Sequence, residues 1–103
     1  MVVYQVVWTD PAIANLKELC QHIAKDNPDA ARKLGMGLVE HAESLDELPL
    51  RGKVYPKFGN GQIHEIPYRG YRIFYKVYED LKRVDILLVW HGARDEPGFI
   101  QKA

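Results

Sequence analysis

The chain opens on Val2-Val3-Tyr4-Gln5-Val6-Val7-Trp8, a run of β-branched and aromatic residues that suits a pleated, half-buried surface better than a helix. Thr9-Asp10-Pro11 then sets a capping side chain ahead of a proline whose missing N–H costs nothing in a first helical turn. A helix is expected from there, with Ile13, Leu16, Cys20, Ile23 and Ala24 as its apolar stripe and Lys17, Glu18, Gln21, His22 and Lys25 mostly facing away. Asp26-Asn27-Pro28 ends this helix and begins another, because proline disfavours helical backbone at the residue before it. Leu34, Leu38, His41, Leu45 and Leu48 recur at three- and four-residue spacing up to Pro49, so two helices pack as an antiparallel hairpin. Gly35 and Gly37 each cost such a helix about 1 kcal/mol relative to alanine. They point either to a neighbouring element approaching closely or to a local bend.

Residues 50–61 are the longest irregular stretch and read as a surface loop. Three strands are expected after it, over residues 62–67, 71–78 and 83–90, joined by Tyr68-Arg69-Gly70 and Glu79-Asp80-Leu81-Lys82. Both connections suit hairpins, which makes the strands an antiparallel meander. Tyr71, Ile73, Tyr75 and Val77 alternate with Arg72, Phe74, Lys76 and Tyr78, so one face suits the helices and the other carries cations and aromatics. The run Val84 through Trp90 is almost wholly apolar and reads as a central strand. The expected fold is α+β: an N-terminal strand, an antiparallel helical hairpin, then a three-strand antiparallel meander, with the helices on one face of the sheet. At 103 residues, one domain spanning residues 1–103 is expected.

Composition narrows the function classes. With 47% hydrophobic and 27% charged residues the chain can bury a core, which excludes a disordered or fibrous protein. Its one cysteine, Cys20, cannot form an intramolecular disulfide, and the four histidines are scattered without the spacing of a zinc site. No metal and no other cofactor is expected. No apolar run approaches the roughly 20 residues that span a bilayer, so no membrane partner and a cytoplasmic location are expected. Fourteen basic and fourteen acidic residues give zero net charge, which argues against a protein devoted to neutralising phosphates. The halves differ, however: residues 1–50 carry four Lys/Arg against eight Asp/Glu, and residues 51–103 ten against six. An anionic partner should meet the second half.

Four segments carry a family likeness: Trp8-Thr9-Asp10-Pro11-Ala12, Asp26-Asn27-Pro28-Asp29-Ala30-Ala31, Tyr71-Arg72-Ile73-Phe74-Tyr75-Lys76-Val77 and His91-Gly92-Ala93-Arg94. In order and spacing they resemble the RelE/ParE superfamily of bacterial toxins over nearly the whole chain. The resemblance implies a growth-arresting toxin of a type II toxin–antitoxin module, of the kind linked to plasmid maintenance, held inactive in a hetero-oligomer with a cognate antitoxin. RelE-like members cut messenger RNA in the ribosome without a metal. ParE-like members poison DNA gyrase.

RNA cleavage by its own 2′-OH needs a base, a cation for the phosphorane charge and an acid for the leaving oxygen. By resemblance, Arg72 and Arg94 match the two RelE-like arginines. The RelE-like lysine pair falls at Ile63 and Glu65, and the C-terminal tyrosine near Phe99 or Ile100, so those acid/base groups are missing. His64 or His91 is the substitute on offer under the nuclease reading, because imidazole titrates near neutrality; each also reads as an ordinary hydrogen-bonding histidine at a strand end. Arg72 has a second reading as an ion-pair partner of Glu65 or Asp85, and Arg94 as a partner for an antitoxin carboxylate. Tyr71, Tyr75 and Tyr78 suit either base stacking or cross-strand packing. Missing catalytic groups and zero net charge rank gyrase inhibition first, ahead of ribosome-dependent mRNA cleavage and of a non-toxic module that only binds its antitoxin. Leu19, Met36 and Val39 lie off the predicted helical stripe; Leu19 is expected to pack within the hairpin, and Met36 and Val39 with Arg72 and Arg94 are the expected antitoxin- or target-binding residues.

Overall fold

The computed structural model describes residues 2–55 and 61–92. Strands Gln5–Trp8 (β1), Lys53–Val54 (β2), Ile63–Tyr68 (β3), Tyr71–Tyr78 (β4) and Arg83–His91 (β5) form one sheet in the order β1-β5-β4-β3-β2. β1 runs parallel to β5 and every other pairing is antiparallel. Helices Asp10–Ala24 (α1) and Pro28–Glu43 (α2) cover one face. Ala12, Leu38, Ala42 and Leu45 pack there against Ile66, Ile73, Tyr75, Val77, Val84, Ile86 and Val89. The α+β layout and the meander of β3, β4 and β5 therefore stand as the sequence indicates.

The caps do what their residue types suggest. The Thr9 hydroxyl accepts the Ala12 N–H at 3.4 Å while donating to the Ile86 carbonyl at 2.7 Å, so one side chain starts α1 and ties it to β5. Asn27 caps α2 by accepting the Ala30 N–H at 3.1 Å, and Pro28 occupies the first turn. The close-approach reading of the two helical glycines holds: a Cβ on Gly35 would stand 2.9 Å from the Cys20 Sγ, and one on Gly37 would strike the Tyr68 ring.

Four expectations need correction. The first strand covers only Gln5–Trp8, and Val2 and Val3 before it are exposed. Ile13 is also exposed, although it was placed on the apolar stripe, while Leu19 packs against the core as expected of it. The second helix stops at Glu43 rather than reaching Pro49: the Ser44 hydroxyl donates to the His41 carbonyl at 2.6 Å, and the chain tightens into a 3-10 turn over Ser44–Asp46. That turn buries Leu45 but leaves Leu48 exposed. Finally, the stretch read as a loop contains β2, whose pairing of Lys53 with Glu65 and Val54 with His64 is too short to leave a periodic signal.

The apolar run of β5 has a specific cause. Phe74 faces Leu88 while Tyr75 faces Ile86, so Leu87 is an extra residue opposite β4. This bulge lets one strand serve both faces. Val84, Ile86 and Val89 join the helix-side core, and Leu87, Leu88 and Trp90 pack against Tyr55, Ile63 and Phe74 on the other side. Just past the bulge the Val89 N–H donates to the Asn15 Oδ1 at 3.2 Å, so α1 supplies an acceptor along β5 beyond the end of its pairing with β1 at Trp8. Asn15→Leu should lower stability by about 1–3 kcal/mol by leaving that amide without an acceptor. An unchanged urea midpoint would refute this role.

On the far side of the sheet, Tyr68-Arg69-Gly70-Tyr71 turns tightly, with φ of 47° at Arg69 and 84° at Gly70, as a two-residue hairpin of this hand requires. The Ile63 carbonyl accepts the Tyr55 N–H, so the backbones of positions 63, 65 and 67 face outward from β4. The β2 ladder ends at Glu65, and the next outward position is Pro67, which has no N–H.

Candidate functional site

Strand alternation places Arg72, Phe74, Lys76 and Tyr78 of β4 on the face away from the helices. Register adds Glu65 of β3 beside Phe74, Lys53 of β2 beside Glu65, and Arg83 and Asp85 of β5 beside Tyr78 and Lys76. The cations lie over rings. The Arg72 guanidinium sits 4.7 Å from the Phe74 ring centre, and Arg83 and Lys76 lie 4.7 and 5.0 Å from that of Tyr78. Two are also paired: Arg72 Nε donates to Glu65 Oε1 at 2.9 Å, and Arg83 Nε to Asp85 Oδ1 at 2.9 Å. Both carboxylates are more covered than the guanidiniums they hold, with 19% and 16% of their side chains exposed.

Arg72 is thus where the sequence puts it, and its ion-pair reading is met by Glu65, while Asp85 serves Arg83. His64 is not brought to it. Its cross-strand partner is Tyr75, on whose ring it stacks at 5.4 Å, so it lies on the helix side of the sheet and is 4% exposed. The Gln62 carbonyl lies 3.3 Å from its Nδ1. As a substitute acid or base working with Arg72, His64 is on the wrong face. His91 pairs with Tyr71, also on the helix side, and meets that ring edge-on at 5.3 Å. Arg94, Phe99 and Ile100 lie outside the described residues.

The tyrosines divide. Tyr75 is fully buried, Tyr71 packs against the helix-side core, and only Tyr78 of the three belongs to the cationic face. On the helices Met36 is 58% exposed and Val39 is half-buried. His41 stands 5.1 Å from the Tyr68 ring. Burial, with the Arg51 charge nearby, lowers its pKa below the ordinary histidine value, against a smaller opposing pull from the Pro67 carbonyl. A groove of about 640 Å³ runs between α1 and the end of the sheet, bordered by Leu19, His22, Tyr71, Val89, Trp90 and His91. Arg83 and Asp85 were missed as site residues, although two-residue parity from Arg72 across the hairpin assigns them to the same face.

A family model described as the ParE toxin of the type II toxin-antitoxin system parDE matches residues 6–96. The chain belongs to the ParE toxin family. Toxin RelE2 of Caulobacter vibrioides is 34% identical over 90 residues, covering 87% of this chain and 97% of that protein. The RelBE2 toxin–antitoxin complex of Mycobacterium tuberculosis contains a chain 28% identical, covering 91% of this chain and 97% of its own, with a TM-score of 0.68. A chain of the chromosomal ParDE system of P. aeruginosa superposes with a TM-score of 0.71 over 86% of this chain and 96% of its own; at 20% identity that likeness concerns the fold. This member of the ParE toxin family is therefore a type II toxin of the wider RelE/ParE group. On the face away from the helices, two of its guanidiniums are bound to carboxylates.

Proposed function

We propose that this ParE-family chain arrests growth by binding and poisoning DNA gyrase, and that a cognate antitoxin neutralises it in a hetero-oligomer. One observation carries the choice of target: the sheet separates His64 from Arg72, and Arg72 is engaged by Glu65. Cleavage of RNA needs a proton acceptor and a stabilising cation on the same side of the scissile phosphate. Docking to a protein needs neither, and a face of stacked cations with Leu88 and Trp90 beside them suits it. The antitoxin reading draws support from the relatives, of which the mycobacterial one is a toxin–antitoxin complex. Half-exposed Met36, Val39 beside it and the groove along α1 offer apolar surface for an amphipathic segment that folds on binding.

The decisive experiment sets purified toxin against two substrates in parallel: supercoiling by gyrase, and messenger RNA on programmed ribosomes. Inhibition of supercoiling without transcript cleavage is expected. Cleavage with gyrase untouched would make the chain a ribosome-dependent endonuclease, and Arg72→Ala should then slow cleavage by about 10²-fold or more. Induction in cells without antitoxin should stop growth; continued growth would instead mark a module that only binds its partner.

A further inference from the structure

The charged groups of the open face form two copies of one arrangement. Glu65 lies between the Arg72 guanidinium, which it binds at 2.9 Å, and Lys53, its cross-strand neighbour on β2. Asp85 lies between the Arg83 guanidinium, also at 2.9 Å, and Lys76, its cross-strand neighbour on β4. In each copy a guanidinium is laid against an aromatic ring, Phe74 or Tyr78. A single-stranded nucleic acid seeks cations for its phosphates and accessible rings for its bases; Phe74 is fully buried beneath Arg72, so the cations and the half-buried Tyr78 are what this face presents to one. Here each copy has a carboxylate at its centre, held more deeply than the guanidinium it binds.

We infer that Glu65 and Asp85 are the specificity-determining residues of this face, closing it to single-stranded nucleic acid and leaving it to a protein surface. The inference rests on the reading of the open face as the target-binding surface. A phosphodiester reaching Arg72 or Arg83 comes within contact range of a fixed negative charge, and it competes for a donor already in use. A protein surface meets no such penalty. The N–H groups of Arg72 beyond Nε, and those of Arg83 beyond the Nε and Nη2 that Asp85 engages, suit neutral carbonyl oxygens, and Leu88 and Trp90 next to them suit apolar side chains. With each carboxylate engaged by its arginine, the four cations Lys53, Arg72, Lys76 and Arg83 stand against two carboxylates, so the carboxylates halve the positive charge of the face where its cations are densest.

The test reads binding of a fluorescent 12-nucleotide uridine oligomer to the full chain across a salt series, alongside gyrase supercoiling with the same preparation. Wild-type protein should bind weakly, with little salt dependence. Glu65→Gln with Asp85→Asn should tighten binding at least tenfold at low salt. It should also steepen the dependence of log K on log salt by about 1.4, or about 0.7 for each further phosphate that a single strand places on a freed cation. Adding Arg72→Gln and Arg83→Gln to that variant should abolish the effect. A folded double variant that binds no tighter than wild type overturns the inference. So does wild-type binding with a salt slope of about 2 or more, equivalent to neutralising about three phosphates, a result that needs no variant to fold. Tighter binding by the double variant while wild-type protein leaves gyrase untouched would uphold the charge assignment and reject the gyrase target; gyrase inhibition with no tightening would do the reverse.

Discussion

Tyr75→Ala is expected to destabilise the protein by about 3–5 kcal/mol, the range for removing a large buried aromatic side chain. Tyr75 occupies the middle of β4, the central strand of the sheet, with no exposed surface. Its ring stacks on His64, and its hydroxyl accepts the Gly52 N–H at 2.9 Å, which anchors the chain just before β2. Burial raises its pKa, opposed in part by that amide and by Arg51, so the neutral phenol is the form the site holds. Tyr75→Phe keeps the ring and loses only the acceptor, and should cost about 1–3 kcal/mol. Urea unfolding followed by circular dichroism separates the two. Equal losses for alanine and phenylalanine would mean that the hydroxyl, not the packed ring, carries the stabilisation.

The second large effect lies at the other end of that hydrogen bond. Gly52→Ala places a methyl group against the Tyr75 hydroxyl, 2.9 Å from the Glu65 carbonyl oxygen and 3.0 Å from the Ile66 Cγ2. Two of these neighbours are a fully buried side chain and strand backbone, neither of which yields cheaply, so a loss of about 1–3 kcal/mol is expected. The two sites touch, and their effects should not add. In the background of Tyr75→Phe, where the struck oxygen is gone, Gly52→Ala should cost measurably less. Strict additivity in that double-mutant cycle would refute the contact.

These two residues also show what was legible beforehand. Alternation along β4 assigned Tyr75 to the helix side and Arg72 to the open side, because a period of two fixes a face once one position is known. Helix starts were equally readable, since Thr9-Asp10-Pro11 and Asn27-Pro28 combine a capping side chain with proline. Gly35 and Gly37 were conspicuous because glycine is anomalous within a helix, but only the packing against Cys20 and Tyr68 decides for close approach over a bend. Gly52 gave no such notice, lying in a stretch where glycine is ordinary. The early stop of α2 was hidden because Leu45 and Leu48 continue the helical spacing; a local Ser44 hydrogen bond decided the matter, and periodicity does not record such bonds. For the site, parity kept Arg72 and Lys76 together and Glu65 was offered as an ion-pair partner, yet His64 next to Glu65 in sequence was paired with Arg72 in the nuclease reading. Adjacent strand residues point to opposite sides of a sheet, and that rule, applied to β3, separates them without any coordinates.

Pro67 bears on how the chain behaves when no other protein shields it. An open margin of backbone amides invites an identical chain to add itself, and repetition of that step grows a fibril. At the hairpin end of β3 the imino ring presents no hydrogen there, so an incoming backbone finds one anchor missing where the β2 ladder has ended. This blunted margin therefore counts against self-association of the chain.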